Sequence, residues 1–149
     1  MSEYFVEAEL VPVRDVDQRL VEMDDWKLIL ALHNDSKGWD GLVTNDAEML
    51  KLPREMCVLE KTRLKLVVAE SAGHDPLKAT GLLLAHLPQI CSRLDPSRSE
   101  VWRLRVSAKN PETPMSLIRS LARRRKQSPD EFLKKNGLSD VDMGKSPLT

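Results

Sequence analysis

The sequence GLVTNDAEML, residues 41–50, is the stretch that decides the expected fold. Its first four residues form a short apolar run bounded by turn formers, which favours a central strand of a parallel sheet. Asn45 and Asp46 then leave the strand, and residues 47–51 are predicted to form a short helical turn that Pro53 ends. An acidic residue therefore follows the carboxyl end of a strand, where α/β sheets bind their ligands.

The residues before this stretch predict one strand and one helix. Residues 4–13 are typical of a strand, and Pro12 places that strand at an edge or at its end. Residues 23–33 predict a helix whose apolar side chains cover most of its circumference, so the helix should be largely buried. Asp24 or Asp25 is expected to cap its first turn.

The residues after this stretch predict an alternation of strands and helices. Asp75 and Pro76 form a strong helix start, and that helix should bend or end near Pro88. Strands are predicted at 56–59, 64–69 and 101–106, and helices at 77–91, 115–126 and 129–136. Together these elements indicate an α/β domain over residues 1–110, with a parallel or mixed sheet between helices. Residues 111–149 are predicted to form a basic helical extension with a disordered end.

Composition favours a cytoplasmic protein without a membrane partner. No apolar run approaches the roughly 20 residues that span a bilayer, and the first residues lack the features of a secretory signal. Cys57 and Cys91 have no nearby cysteine partner, so we expect two reduced, buried thiols.

Charge is segregated along the chain although the net charge is zero. Residues 1–60 carry 14 acidic and 6 basic side chains, and the remaining residues have the opposite excess. The densest basic cluster is predicted to bind nucleic-acid phosphates, and it comprises Arg119, Arg123, Arg124, Arg125 and Lys126. The alternative is that these side chains form a solvated helix face beside a tail.

Asp25 and Asp46 are the candidate metal ligands. The chain runs down the helix that starts near Asp25 and returns along the strand that ends at Thr44, so the two carboxylates can meet. Paired carboxylates repel each other unless a cation neutralises them, and Mg²⁺ prefers such oxygen ligands. Thr44 is expected to orient Asp46, and Asp24 and Glu48 are further candidate ligands. The alternative interpretation is that one aspartate caps a helix and the other forms a turn.

The motifs Asp24-Asp25-Trp26 and Thr44-Asn45-Asp46, with the apolar strand between them, resemble the late part of a PIN domain. The continuation through residues 66–69 and 73–81 also resembles bacterial PIN-like proteins. The resemblance implies a three-layer α/β fold and a ribonuclease dependent on Mg²⁺ or Mn²⁺, often the toxin of a toxin–antitoxin pair. Asp25 would match the third acid of the family and Asp46 the fourth.

The resemblance has one serious departure. Only 24 residues precede Asp25, and Glu7 and Glu9 do not match the aspartate that PIN domains carry on their first strand. The main hypothesis is therefore an endoribonuclease with RNA as substrate, and with an antitoxin or a second copy of the chain as partner. A catalytically reduced PIN-like module that binds protein or RNA is the alternative, and a structural subunit of a larger assembly is a third hypothesis.

Overall fold

Three parallel strands form the sheet in the computed structural model, which describes residues 8–72, 75–105 and 111–149. They are β1 (Gly41–Thr44), β2 (Lys65–Val68) and β3 (Glu100–Arg103), in the order β1-β2-β3. Val67 of β2 is in register with Val43 on one side and Trp102 on the other. Within the described residues β2 is thus the central strand and β1 lies at an edge, so the predicted central position of β1 was wrong.

Helices account for most of the remaining described residues. The α-helices are α1 (Val13–Val16), α2 (Asp25–Asn34), α3 (Pro53–Glu60), α4 (Pro76–Arg93), α5 (Pro114–Arg124), α6 (Pro129–Asn136) and α7 (Asp140–Met143). Short 3₁₀ helices span Gln18–Glu22, Ala47–Lys51 and Glu70–Ala72. In the described ranges no helix is both long enough and apolar enough to cross a membrane.

The sheet separates two hydrophobic clusters. Alternate side chains of a strand point to opposite faces, and Leu66 and Val68 accordingly join the large core with α2, α3, α5 and α6. Val67 faces the other way and packs with Ile90 of α4 and Trp102 of β3. A small parallel sheet lies between helices on both faces, which confirms the predicted α/β architecture.

The predicted strand at 56–59 was wrong, and the described part of the predicted strand at 4–13 is not a strand. Residues 8–12 are irregular and Val13–Val16 is helical, while residues 1–7 lie outside the described ranges. Residues 56–59 belong to α3, which Pro53 starts in its favoured first-turn position. Residues 56–59 are at most 1% exposed because α2, α5 and α6 surround the helix. Burial on every side gives a continuous apolar run, and periodicity alone cannot distinguish such a run from a strand.

The second half of the chain follows the predicted order of elements more closely. Asp75 caps α4 by accepting hydrogen bonds from two backbone N–H groups, as predicted, whereas Gly73 and His74 lie outside the described residues. Pro88 lies inside α4, which continues to Arg93. Of the predicted strand at 101–106, residues 101–103 belong to β3, which is more buried than expected, whereas residues 104 and 105 are irregular and Val106 is not among the described residues. Cys57 is buried as expected, but Cys91 is exposed.

Residues 111–149 are part of the same core as the sheet. Ile118 of α5, Phe132 of α6 and Met143 of α7 are all buried in the large cluster. Near the end of the chain, the Leu148 carbonyl oxygen accepts a hydrogen bond from Arg19 at 3.1 Å. The expected extension is therefore packed against α3, and the end expected to be disordered includes α7. The physical reason is that α5 and α6 cover apolar side chains of α3 that would otherwise face water.

Candidate metal centre

Asp24 and Asp25 stand at the start of α2. Asp24 occupies the N-cap position, but its side chain makes no capping hydrogen bond, so the predicted capping role is not observed for it. Asp25 is the first helical residue and is half-buried. Both residues line an open depression that Arg54 and Glu55 of α3 also border.

Asp46 follows the carboxyl end of β1 and does not line this depression. Its Oδ1 accepts a hydrogen bond from the backbone N–H of Glu48 at 3.0 Å, which caps the 3₁₀ helix Ala47–Lys51. The Thr44 hydroxyl oxygen accepts the backbone N–H of Asp46 at 3.1 Å. Thr44 thus fixes the backbone turn at Asp46, whereas we had expected it to orient the carboxylate.

Electrostatics links Asp25 to Asp46. Burial raises the pKa of the Asp25 carboxyl above its ordinary value of 3.8, and the charges of Asp46 and Asp24 raise it further. Like charges disfavour ionisation, so the charge of Asp46 affects Asp25 although the two residues belong to separate segments of the chain. The negative charge of Asp46 therefore acts on the first residue of α2.

Glu55 is an acidic residue of this site that sequence reasoning missed. Its side chain belongs to the third residue of α3, and the residue is only 8% exposed. Burial raises the pKa of the Glu55 carboxyl, and the charges of Asp25 and Asp24 add to that effect, while backbone hydrogen bonds from Glu55 and Trp26 oppose it. A proline followed two residues later by an acid is a helix-start signal that could have identified Glu55.

The acids of this group have no ion-pair partner among the residues that the structure describes. In the described part of the chain, none of Asp24, Asp25, Asp46 and Glu55 forms an ion pair within 4.0 Å. Arg54 borders the same depression, but its guanidinium lies 5.3 Å from the centre of the Trp26 ring. We refer to these four acids as the acidic group.

Glu48 does not belong to this group. Its carboxylate forms an ion pair with Lys51 at 3.1 Å, and both side chains are mostly exposed. Among the described residues, no set of three or more histidine, cysteine, aspartate or glutamate side chains is arranged to hold a metal ion. The predicted set of Asp24, Asp25, Asp46 and Glu48 is therefore not assembled as four ligands. Mg²⁺ requires only one or two carboxylates when water completes its coordination.

A second charged cluster lies at the carboxyl ends of β2 and β3. Glu70 accepts a hydrogen bond from Arg105 at 2.9 Å and lies 3.5 Å from Arg103, which also pairs with Glu112 at 3.1 Å. The hydrogen bond from Arg105 is the largest cause of the lowered pKa of Glu70. We refer to these four residues as the paired network, and no sequence motif had indicated it.

The predicted basic cluster lies on the second half of α5 and just beyond its end. Arg119, Arg123, Arg124, Arg125 and Lys126 are all exposed. The Arg125 guanidinium lies 5.9 Å from the Phe132 ring centre, and Lys126 has a left-handed backbone with a φ of 55°. Arg124 lines a groove together with Glu48 and Lys51, so the cluster reaches the 3₁₀ helix that Asp46 caps.

A scan of protein-family models and searches of curated proteins and solved structures find no significant match to this chain. The resemblance to PIN domains therefore stays a prediction made from sequence motifs.

Proposed function

We propose that this chain is a PIN-like endoribonuclease that uses Mg²⁺ held by Asp25 and Asp46 to hydrolyse RNA phosphodiesters. The observation that supports the proposal is the position of Asp25, which starts α2 at an open depression, has no ion-pair partner among the described residues, and has a pKa raised by burial and by the charges of Asp46 and Asp24. Carboxylates that crowd one another without a cationic partner form a site whose charge a bound cation would neutralise.

The donor set suits Mg²⁺ or Mn²⁺. Both ions accept carboxylate oxygens, and the candidate ligands offer no nitrogen or sulfur atom that would favour zinc. When bound, the metal would activate water and stabilise the negative charge that develops on the phosphodiester. Asp25 and Asp46 would bind the cation, while Asp24 and the buried Glu55 would increase the negative potential that attracts it.

The surroundings of the acidic group support a polyanionic substrate. The exposed arginines of α5 lie beyond the 3₁₀ helix that starts after Asp46, and Arg124 shares a groove with Glu48 of that helix. A basic surface attracts nucleic acid through its phosphates. We extend the proposal to a cytoplasmic nuclease that forms homodimers and that an antitoxin restrains, the last as the PIN resemblance implies.

Cleavage of labelled RNA by the purified chain tests the proposal. We expect cleavage in Mg²⁺, none in EDTA, and a loss of about 100-fold or more in the variant Asp46→Asn, because electrostatic groups in active sites commonly contribute that much. Asn keeps an oxygen that can still accept the capping hydrogen bond from Glu48. Asp75→Asn is the matched control, because Asp75 also caps a helix but lies outside the acidic group. Equal cleavage by the wild type and Asp46→Asn would exclude the proposed role of Asp46.

The second candidate function is a binding module that has lost catalysis. The observation that favours it is the absence, within the described residues, of an assembled group of three or more metal-ligating side chains. Association with RNA or protein that neither Mg²⁺ nor Asp46→Asn alters, without RNA cleavage, would support this function over the nuclease.

A further inference from the structure

A groove lies between the 3₁₀ helix Ala47–Lys51 and the second half of α5. It has a volume of about 270 Å³, and Glu70 and Arg103 border it at the carboxyl ends of β2 and β3. Its polar lining consists of Glu48, Lys51, Glu70, Arg103, Ser120 and Arg124. The groove therefore begins at the 3₁₀ helix that Asp46 caps and leads to the basic surface of α5.

The charged side chains that line the groove have an excess of positive charge. Glu70 is neutralised by Arg105 and Arg103, and Arg103 also pairs with Glu112. Lys51 pairs with Glu48, but both side chains are more than 60% exposed, and such pairs contribute little. A phosphate can therefore replace Glu48 as the partner of Lys51.

Arg124 is the cation most available to a ligand. Its side chain is exposed and forms no ion pair or hydrogen bond with any residue that the structure describes. Ser120 lies one helical turn before it and adds a hydroxyl donor on the same side of α5. An arginine and a hydroxyl group that face one groove are suited to phosphate oxygens.

We propose that this groove binds a backbone phosphate of single-stranded RNA next to the phosphate that the acidic group would address. This inference rests on the proposed function, because it assigns the substrate-binding side of the same site. Arg124 and Lys51 contact the phosphate, while Arg103 stays paired with Glu70 and Glu112.

The lining also determines how RNA is recognised. No aromatic side chain is present among the described lining residues, so bases have no stacking platform there. Binding is therefore directed to the backbone, and it is sensitive to salt and tolerant of sequence.

Fluorescence anisotropy of a short labelled RNA of mixed sequence tests the inference, with EDTA present so that cleavage does not interfere. We expect Arg124→Ala to weaken binding about tenfold, as loss of a charged hydrogen bond does. The slope of log affinity against log salt should fall by about 0.7, the value for one contact to single-stranded nucleic acid. Arg124→Lys should retain the slope, because it retains the charge.

Arg14→Ala is the matched control, since Arg14 is an exposed arginine whose side chain does not line the groove. Equal loss of affinity in Arg14→Ala and Arg124→Ala would overturn the inference. Displacement of the RNA by polyglutamate at equal charge concentration would also overturn it, because the groove would then suit an acidic protein.

The two proposals can fail separately. RNA that binds through Arg124 in EDTA but stays intact in Mg²⁺ would exclude the nuclease and leave the groove as an RNA site. RNA that is cleaved equally by the wild type and Arg124→Ala, with equal affinity, would exclude the groove alone.

Discussion

The acidic group and the paired network show how the same residue type behaves in two electrostatic settings. In the first, burial and neighbouring carboxylates raise the pKa values of Asp25 and Glu55. In the second, the guanidinium groups of Arg105 and Arg103 lower the pKa of Glu70. The fold supplies Glu70 with cationic partners, whereas none of the acids of the acidic group has an ion-pair partner among the described residues.

The largest expected effect on stability comes from replacing Arg103, because Arg103 bridges two carboxylates of the paired network. Arg103→Ala would leave Glu70 and Glu112 without that partner, so we expect the free energy of unfolding to fall by about 1–3 kcal/mol. Urea titration of the purified variant measures this change. The control is Arg14→Ala, whose ion pair is exposed and 4.0 Å long, and an equal effect in both variants would contradict the structural role of the network.

The next largest expected effect is the stabilisation of the folded state by Mg²⁺, which should bind at the acidic group alone. At a metal concentration about tenfold above the Kd, binding to the folded state adds about 1.4 kcal/mol of stability. We expect Mg²⁺ to raise the Tm of the wild type and of Asp75→Asn, but not that of Asp46→Asn. A uniform increase in all three proteins would show that the metal binds elsewhere.

We expect a smaller effect of pH on stability when no metal is present. Asp25 and Glu55 have raised pKa values, so the folded state holds their protons at pH values where the unfolded chain has released them. We therefore expect the free energy of unfolding to fall as pH rises. The decline starts at the ordinary pKa values, 3.8 for Asp25 and 4.5 for Glu55, and continues until pH exceeds the raised pKa values of the folded state. Urea titrations in EDTA between acidic and neutral pH measure this decline.

Glu55→Gln should reduce that decline and slightly stabilise the protein at neutral pH without metal. Gln retains an acceptor for the backbone N–H groups but carries no charge next to Asp25 and Asp24. Glu48→Gln is the matched control, because Glu48 already has a lysine partner and is exposed. The same pH profile in Glu55→Gln and the wild type would show that Glu55 does not contribute to the electrostatics of the acidic group.

Sequence reasoning identified part of the candidate site because some of its signals are local. A helix start at Asp25 and a strand end just before Asp46 are visible in short windows of sequence. Glu55 was missed because residues 56–59 were interpreted as a strand. The paired network was missed because Glu70, Arg103, Arg105 and Glu112 come from separate segments without a shared motif.

The sequence by itself determined the α/β class, the strand at 41–44, the cap at Asp75 and the helices in the second half of the chain. These features depend on periodicity, proline positions and capping groups, which act over a few residues. Tertiary structure decided that residues 56–59 are helical, that residues 111–149 join the core, and which carboxylates have cationic partners. Those outcomes depend on burial and on distances between segments remote in sequence, and therefore they follow only from the packed fold.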